Sequence, residues 1–305
     1  MTIRSEPLAG FKSLPATPNS VPISPAVAEL GKKLFFDPIL SENNTISCSS
    51  CHKPESNFAT HDPVAVGIDD RKGKRNSPTL LNRAYGTSQF WDGRAESLEA
   101  QALQPIENVD EMGSTVDAAL ERISTHADYP ALFREAFEDD DNPVNRQNLA
   151  RSLATFQRTL LIGNSQVDRF RGGEYEALSA DARSGMWLFE SRANCWRCHS
   201  GENFSDEKFH NTGVGHGIAS RDNGRFDATS LEDDRFRYKT PTLRGVALTA
   251  PYMHDGSVAS LEDVVKYYSQ GGNTDDPNLD PDIKPLNLTE KEIKQLVAFL
   301  KALSE

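Results

Sequence analysis

The pentapeptide Cys-x-x-Cys-His occurs twice in this chain of 305 residues, at 48–52 and at 195–199. Two thiols one helical turn apart add to the vinyl groups of a porphyrin, and the adjacent histidine ligates the iron from below, as in c-type haem attachment. A structural zinc site or a thioredoxin-like redox pair is the alternative, but neither accounts for a trailing histidine in both copies. The two motifs use all four cysteines and predict two covalently bound haems, attached by Cys48, Cys51 and His52 and by Cys195, Cys198 and His199.

Composition narrows the class of partner and the location. The net charge is −12 before any haem propionate is counted. This charge argues against nucleic acid as a binding partner and favours a partner protein with a basic or dipolar surface. The chain has no apolar run of about 18 residues, so we expect no membrane span. The first residues lack the apolar core of a signal peptide. Because c-type haem is normally attached outside the cytoplasm, we expect a periplasmic protein whose export signal has been removed.

An internal duplication relates two stretches, one in each half of the chain. Residues 78–99 align without a gap on residues 241–262, with nine identities in 22 positions. The shared positions are Pro-Thr-Leu, one alanine, an Asp-Gly turn and a Ser-Leu-Glu helix start. The stretch between haem motif and repeat is longer in the second half, at 200–240, than in the first, at 53–77. A repeat of this length predicts two domains of similar fold.

The local patterns predict mostly helix. Ser24 followed by Pro25 is typical of a helix start, and Thr289 with Glu292 forms the capping box of a last helix. Apolar residues recur at helical spacing in four further segments, 116–126, 147–161, 177–190 and 260–269. Polar loops separate them at 67–76, 211–235 and 270–286, and no alternating strand pattern of useful length is present.

The expected fold class is therefore all-α. We predict two cytochrome-c-like helical domains related by internal duplication, with one c-type haem in each. Residues 1–23 are expected to form an N-terminal extended segment, residues 24–163 the first domain and residues 164–305 the second domain.

The repeat also predicts a difference between the two irons. When the alignment of the two halves is continued without a gap, Pro105 falls on Tyr268, after the distal helix of each half. Proline has no ligating atom, whereas a tyrosine phenolate binds ferric iron. We therefore predict an open distal face at the first haem and a face closed by Tyr268 at the second. Periodicity alone favours a different interpretation of Tyr268, as a half-buried aromatic beside Tyr267.

The chain resembles the bacterial di-haem cytochrome c peroxidase and MauG superfamily over nearly its whole length. The resemblance is carried by specific strings of residues, at 30–36, 75–80, 90–94, 211–214 and 248–256. It implies that the first haem binds hydrogen peroxide and that the second transfers electrons.

Two positions depart from the peroxidases of the family and resemble MauG. The peroxidases use a methionine as the distal ligand of the second haem, and MauG uses a tyrosine, which corresponds here to Tyr268. A mobile histidine blocks the first haem of the peroxidases until the second is reduced, and Ile68 holds that place here. The nearby His61 is the one candidate for a substitute gate.

The resemblance also assigns distal residues and a relay. Glu111 and Gln101 match the distal carboxylate and amide that assist cleavage of the peroxide bond, although the residues alone suggest a solvated acid at Glu111. Trp91 matches the indole that relays oxidising equivalents between the haems, and Pro105 leaves the first haem open.

A calcium ion between the domains is implied by Asn76 and the carbonyls of Thr249 and Pro251, since calcium prefers oxygen ligands. His254 matches a family residue near the second haem. MauG has a surface tryptophan two residues before its second haem motif, and this chain has Ala193 there. Trp196 and Trp187 are the candidates to replace that exit, and either is also interpreted as packing.

The resemblance implies an enzyme, a haem peroxidase-type oxidoreductase that uses hydrogen peroxide. The leading hypothesis is a MauG-like oxidase that forms high-valent ferryl haem and oxidises tryptophan or another aromatic side chain of a partner protein by long-range electron transfer. The alternative is a cytochrome c peroxidase that reduces peroxide with electrons from a small cytochrome c or copper protein. A plain two-haem electron carrier is disfavoured by Pro105 and Ile68.

Overall fold

The computed structural model describes residues 23–304, and the chain divides into two compact units within them. The N-terminal unit comprises residues 23–90 and 95–161, and the C-terminal unit comprises residues 91–94 and 162–304. Nearly all of the predicted N-terminal extended segment lies outside the described residues. None of the helices in residues 23–304 is both long enough and apolar enough to cross a membrane.

Helices are the main regular structure of both units, as predicted. The described part of the N-terminal unit has six α-helices, α1 (Pro25–Phe36), α2 (Cys48–Cys51), α3 (Leu98–Glu107), α4 (Val116–Thr125), α5 (Tyr129–Ala136) and α6 (Arg146–Thr159). The described part of the C-terminal unit has five, α7 (Gln166–Arg171), α8 (Ala180–Glu190), α9 (Phe226–Thr229), α10 (Leu261–Ser269) and α11 (Glu290–Ala302). Two-residue strands β1 (Phe209–His210) and β2 (Tyr238–Lys239) pair antiparallel in the C-terminal unit.

Helix caps follow the sequence closely. The capping box of Thr289 and Glu292 forms at α11 as predicted. Ser97 and Ser260, which are equivalent in the duplication, cap α3 and α10 by accepting a backbone N–H. At α1 the N-cap is Ser24, but its side chain makes no capping hydrogen bond, and Pro25 alone marks the start.

The duplication extends beyond the residues that align in sequence. In each unit a glycine lets two helices approach closely: a Cβ at Gly31 of α1 would lie 1.9 Å from the carbonyl oxygen of Ser152 in α6, and one at Gly185 of α8 would lie 1.9 Å from that of Gln295 in α11. These positions tolerate only hydrogen, so both helix pairs cross at the same close distance.

An aromatic trio packs beside each of these helix crossings. In the N-terminal unit the rings of Phe35, Phe58 and Phe156 lie 5.1–6.5 Å apart between centroids. In the C-terminal unit the corresponding rings, 4.9–6.2 Å apart, are Phe189, Phe204 and Phe299. Aromatic pairs at these spacings stabilise a fold by more than their buried area alone provides. Each trio forms part of its unit's hydrophobic core.

Residues 91–94 belong to the C-terminal unit although the neighbouring residues belong to the N-terminal unit. The backbone N–H of Lys239 in β2 donates to the carbonyl of Trp91 (2.7 Å), and Arg225 donates to the carbonyl of Asp92 (2.9 Å). Gly93 has a φ of +70°, and a Cβ there would lie 2.4 Å from the ring of Phe209. The Asp-Gly turn therefore allows close packing of this segment in the C-terminal unit.

Candidate haem sites

The first Cys-x-x-Cys-His motif lies on a single helical turn, α2. Ser47 and Ser50 form a capping box that starts this turn, so Cys48 and Cys51 are held one turn apart. Desolvation raises the pKa of Cys48 to about 12, and burial also raises the pKa of Cys51. Burial therefore favours the neutral thiol at both positions.

The histidines of the two motifs have the same environment. His52 Nδ1 donates to the carbonyl of Phe58 (3.0 Å), and His199 Nδ1 donates to the carbonyl of Phe204 (3.0 Å). A carbonyl only accepts, so the proton lies on Nδ1 and the Nε2 lone pair remains as a metal ligand. Desolvation lowers the pKa of both imidazoles, which keeps them neutral. This donor set fits the axial ligation of a c-type haem.

The second motif starts with a 3-10 turn, Cys195–Arg197, and ends at His199. Desolvation raises the pKa of Cys195 to about 12. All four cysteines are free of disulfides. Both motifs thus present two thiols and one neutral imidazole, as covalent attachment of two c-type haems requires.

A hydroxyl from each Pro-Thr-Leu element holds the loop that follows each motif. Thr79 Oγ1 donates to the carbonyl of Asn57 (2.5 Å), and Thr242 Oγ1 donates to that of Asn203 (2.7 Å). Each of these carbonyls lies one residue before the phenylalanine that accepts from the histidine. The duplicated threonines therefore position the histidine's hydrogen-bond acceptor in both units.

Glu111 lies near the first haem motif. Its charge contributes to raising the pKa of both Cys48 and Cys51, and its Oε1 accepts from Asn108 Nδ2 at 2.7 Å. Gln101 and Pro105 both lie on α3, the helix that ends just before Glu111. Glu111 is therefore close enough to the first cysteine pair to interact with it electrostatically, and its distal role stays a prediction.

Ile68 is 2% exposed and belongs to a loop fastened to the Glu111 segment. Its N–H donates to the carbonyl of Glu111 at 2.8 Å, and Gly67 approaches the same segment so closely that a Cβ would lie 2.2 Å from the carbonyl of Asp110. The candidate substitute gate, His61, is exposed, and its Nε2 bonds Ser56 Oγ at 2.6 Å. The side chain at the family's gate position is thus aliphatic and packed.

Tyr268 lies near the second cysteine pair, at the end of α10. Desolvation raises its pKa above the ordinary value, with further contributions from Tyr267, Cys198 and Cys195. The neighbouring Tyr267 hydroxyl donates to the carbonyl of Thr212 at 2.8 Å, and a side-chain hydrogen bond with Thr212 partly offsets the rise in the pKa of Tyr268. A half-buried phenol with a raised pKa stays neutral until a metal ion deprotonates it.

His210 is a polar residue of this region that the sequence patterns missed. Its Nδ1 and Nε2 donate to the carboxylates of Asp280 (2.6 Å) and Asp206 (3.0 Å). The hydrogen bond to Asp280 raises the pKa of His210 well above its ordinary value, with a further contribution from Cys198 while it is a free thiol, so the ring paired with two carboxylates is an imidazolium. The sequence offered little indication of this pairing, because Asp280, which accepts the shorter of the two hydrogen bonds, lies 70 residues further along the chain.

The remaining predicted residues have various surroundings. His254 is buried and stacks on Tyr238 with centroids 3.6 Å apart. Asn76 Nδ2 donates to the carbonyl of Asp62 in the N-terminal unit, while Thr249 and Pro251 belong to the C-terminal unit. The calcium site remains a prediction.

The three tryptophans and Ala193 differ in exposure. Trp91 and Trp187 are half-buried, and Ala193 is 4% exposed. Trp196 is 41% exposed, with the Arg197 guanidinium 5.7 Å from its ring centroid.

Two helical units, each presenting a c-type haem attachment motif, define a di-haem cytochrome. Residues 25–176 match the family model of di-haem cytochrome c peroxidase, and residues 237–270 match a RoxA-like, cytochrome c-like model. The chain is 41% identical to the methylamine utilization protein MauG of Methylorubrum extorquens over 286 residues, which cover 94% of this chain and 80% of that protein. It is 36% identical to the cytochrome c551 peroxidase of Pseudomonas aeruginosa over 302 residues, covering 96% and 84%.

Solved structures agree with these sequence relatives. A MauG-like protein associated with microbial copper homeostasis superposes with a TM-score of 0.87 at 32% identity, covering 97% of this chain and 93% of the other. The di-haem peroxidase BthA of Burkholderia thailandensis has the same fold (TM-score 0.83, 23% identity, 98% and 93% covered). The chain belongs to the di-haem cytochrome c peroxidase and MauG family of haem peroxidase-type oxidoreductases.

Proposed function

We propose that this protein is a MauG-like di-haem oxidase. It uses hydrogen peroxide at the first haem, attached through Cys48, Cys51 and His52, and stores two oxidising equivalents. It then removes electrons from an aromatic side chain of a partner protein in the periplasm. The observation that carries the proposal is the difference between equivalent positions, Pro105 on α3 and Tyr268 beside the second cysteine pair.

We propose that Glu111 is the residue that transfers protons on the distal side of the first haem. The haems, when bound, supply the redox chemistry at both sites. Cleavage of peroxide needs a proton to move from one oxygen to the other, and a carboxylate beside the site accepts and returns it. Asn108 donates to Glu111 Oε1 and so holds the carboxylate in place. We assign Gln101 to orient the bound peroxide by hydrogen bonding.

At the second haem we propose that Tyr268 is the distal ligand. An anionic phenolate donates more electron density to iron than a methionine thioether, so it stabilises a higher oxidation state. We propose that Trp91 carries electrons between the haems. Its backbone is fastened to β2 through Lys239.

We propose that Trp196 is the outlet for oxidising equivalents. Ala193, at the place of the exit tryptophan of MauG, is buried and carries no aromatic ring. Trp196 lies between the two thiols of the second motif and is exposed to an approaching protein.

The test is low-temperature electron paramagnetic resonance of the fully ferric protein before and after one equivalent of peroxide. We expect one high-spin and one low-spin haem, with both signals lost on addition of peroxide. Two low-spin haems that ignore peroxide until one electron is added would refute the proposal and favour a reductively activated cytochrome c peroxidase. A cytochrome c peroxidase of that kind would also reduce peroxide rapidly with electrons from reduced cytochrome c.

Tyr268→Met supplies the matched variant. We expect it to keep a low-spin second haem with altered g-values and to lose the response of that haem to peroxide. A spectrum identical to the wild type would show that Tyr268 is not the ligand.

A further inference from the structure

The two units differ in the residue that follows the duplicated Pro-Thr-Leu element. Leu81 holds this position in the N-terminal unit, and Arg244 holds it in the C-terminal unit. Both side chains are buried, Leu81 at 7% and Arg244 at 1% exposure. The backbone N–H of each donates to the hydroxyl of its own threonine, Thr79 or Thr242, at 3.1 Å. The two copies therefore share this backbone geometry and differ by an apolar side chain in one and a cation in the other.

Arg244 directs its donor groups to two partners. Its Nη1 and Nη2 donate to the carboxylate of Asp168 at 2.6 and 2.8 Å, and its Nε donates to the carbonyl of Glu202 at 2.8 Å. Its guanidinium carbon lies 5.4 Å from the ring centroid of Phe204. Glu202 and Phe204 belong to the short loop whose Phe204 carbonyl accepts from His199 Nδ1. Arg244 thus clamps both the backbone and the side chain of this loop.

A second buried ion pair reinforces the difference between the units. Arg171 donates to Glu190 at 2.8 Å, with both side chains 5% exposed, and its guanidinium lies 5.0 Å from the Phe204 ring. In the N-terminal unit the equivalent aromatic, Phe58, packs against Phe35 and Phe156. The histidine's acceptor loop therefore has aromatic neighbours in both units, and in the C-terminal unit two buried ion pairs lie beside it as well.

We propose that Arg244 is a positioning residue for His199 that sets the reduction potential of the second haem separately from that of the first. Holding the Phe204 carbonyl on Nδ1–H raises the electron-donating power of the imidazole. A stronger donor stabilises the ferric iron, so the clamp lowers the potential of the second haem. The inference rests on the proposed ligation of iron by His199 and does not depend on peroxide chemistry.

The variant that isolates this effect is Asp168→Asn with Arg244→Leu. The two substitutions remove opposite charges together, so the local net charge is unchanged and no unpaired buried charge is left. An amide at position 168 keeps an oxygen for the backbone N–H of Ser165, which now donates to Asp168. Leucine at position 244 is the residue that the N-terminal unit uses at the equivalent place.

The measurement is an anaerobic redox titration without peroxide, in which the ferric signal of each haem is followed. We expect the reduced-to-oxidised ratio of the second haem at a fixed potential to rise about tenfold, equivalent to about +59 mV for a one-electron couple. The first haem serves as an internal reference and keeps its potential. An unchanged second haem, or an equal shift of both haems, overturns the proposal.

Two further variants keep the test decisive. Arg244→Lys preserves the ion pair with Asp168 but loses the Nε donor that reaches the Glu202 carbonyl. We therefore expect the potential of the second haem to rise in this variant too. An unchanged potential refutes the proposal, even if the double variant does not hold its haem. Glu107→Gln with Arg146→Leu removes an exposed ion pair of the same charges, with side chains 43% and 54% exposed. This control is expected to leave both potentials unchanged, and a shift there equal to that of the double variant would contradict the proposal.

Discussion

Gly185→Ala tests the close helix crossing that supports the second haem motif. In an exposed helix this change stabilises by about 1 kcal/mol, because alanine has the higher helix propensity. Here the new Cβ would lie 1.9 Å from the carbonyl oxygen of Gln295 and 2.9 Å from the Cβ of Phe299. Carbon–oxygen contacts between helices span roughly 3.3–3.6 Å, so α8 and α11 must separate by more than about 1 Å.

The magnitude follows from comparing the two effects. Overpacking of a filled core costs about 1–3 kcal/mol or more, and the Phe189–Phe204–Phe299 trio loses contact as the helices separate. We expect a net destabilisation of about 2 kcal/mol, which lowers the melting temperature by roughly 4–8 °C for a unit of this size.

The assay is thermal unfolding of the holoprotein followed by calorimetry and far-ultraviolet circular dichroism. Gly31→Ala, at the equivalent crossing in α1, is expected to behave alike. Gly73→Ala is the control, because a Cβ there would lie 3.4 Å from the nearest atom, the Cβ of Ala65, in ordinary contact. A Gly185→Ala protein as stable as the wild type would refute the reasoning, because helix propensity would then have outweighed the clash.

Three further predictions follow from the haem sites. Glu111→Gln keeps an acceptor for Asn108 but loses the proton carrier, so the reaction with peroxide is expected to slow by about 10²–10⁴-fold in stopped-flow measurements; an unchanged rate would exclude a role as base. Trp196→Phe is expected to slow oxidation of reduced cytochrome c, used as a probe, at least about tenfold, whereas the half-buried control Trp187→Phe does not. The hydrogen bond to Asp280 raises the pKa of His210, so His210 contributes stability that is complete below about pH 6.5 and is lost progressively as the pH rises above it. The advantage of wild type over His210→Gln in urea unfolding should therefore shrink between about pH 6.5 and pH 9, and a constant or growing difference would contradict the ion pair with Asp280.

Much of the fold was predictable because its signals are local. A pentapeptide that attaches haem needs no tertiary context, and the caps of α3, α10 and α11 depend on residues within one turn. The internal repeat was legible because both copies retained the Pro-Thr-Leu and Asp-Gly elements. The threonines of the first element bond a loop carbonyl in each unit, and Gly93 of the second has a positive φ that favours glycine.

Other features needed the folded chain because their partners are distant in sequence. The glycine crossings and aromatic trios did not align in the sequence comparison, since insertions shift the register between Gly31 and Phe58 relative to Gly185 and Phe204. The grouping of Trp91 with the C-terminal unit depends on a backbone bond from Lys239, in the other half of the chain. No local pattern encodes such a contact.

The sequence by itself determined the two haem motifs, the duplicated helical architecture and the contrast between Pro105 and Tyr268. Only the tertiary structure decided which side chains surround each histidine. In the sequence, Arg244 is a single polar residue after Pro-Thr-Leu. Its structural role depends on its hydrogen bonds to Asp168 and Glu202, both far from it along the chain. A buried charge is stable only beside its partner, and in this protein folding is what brings these partners together.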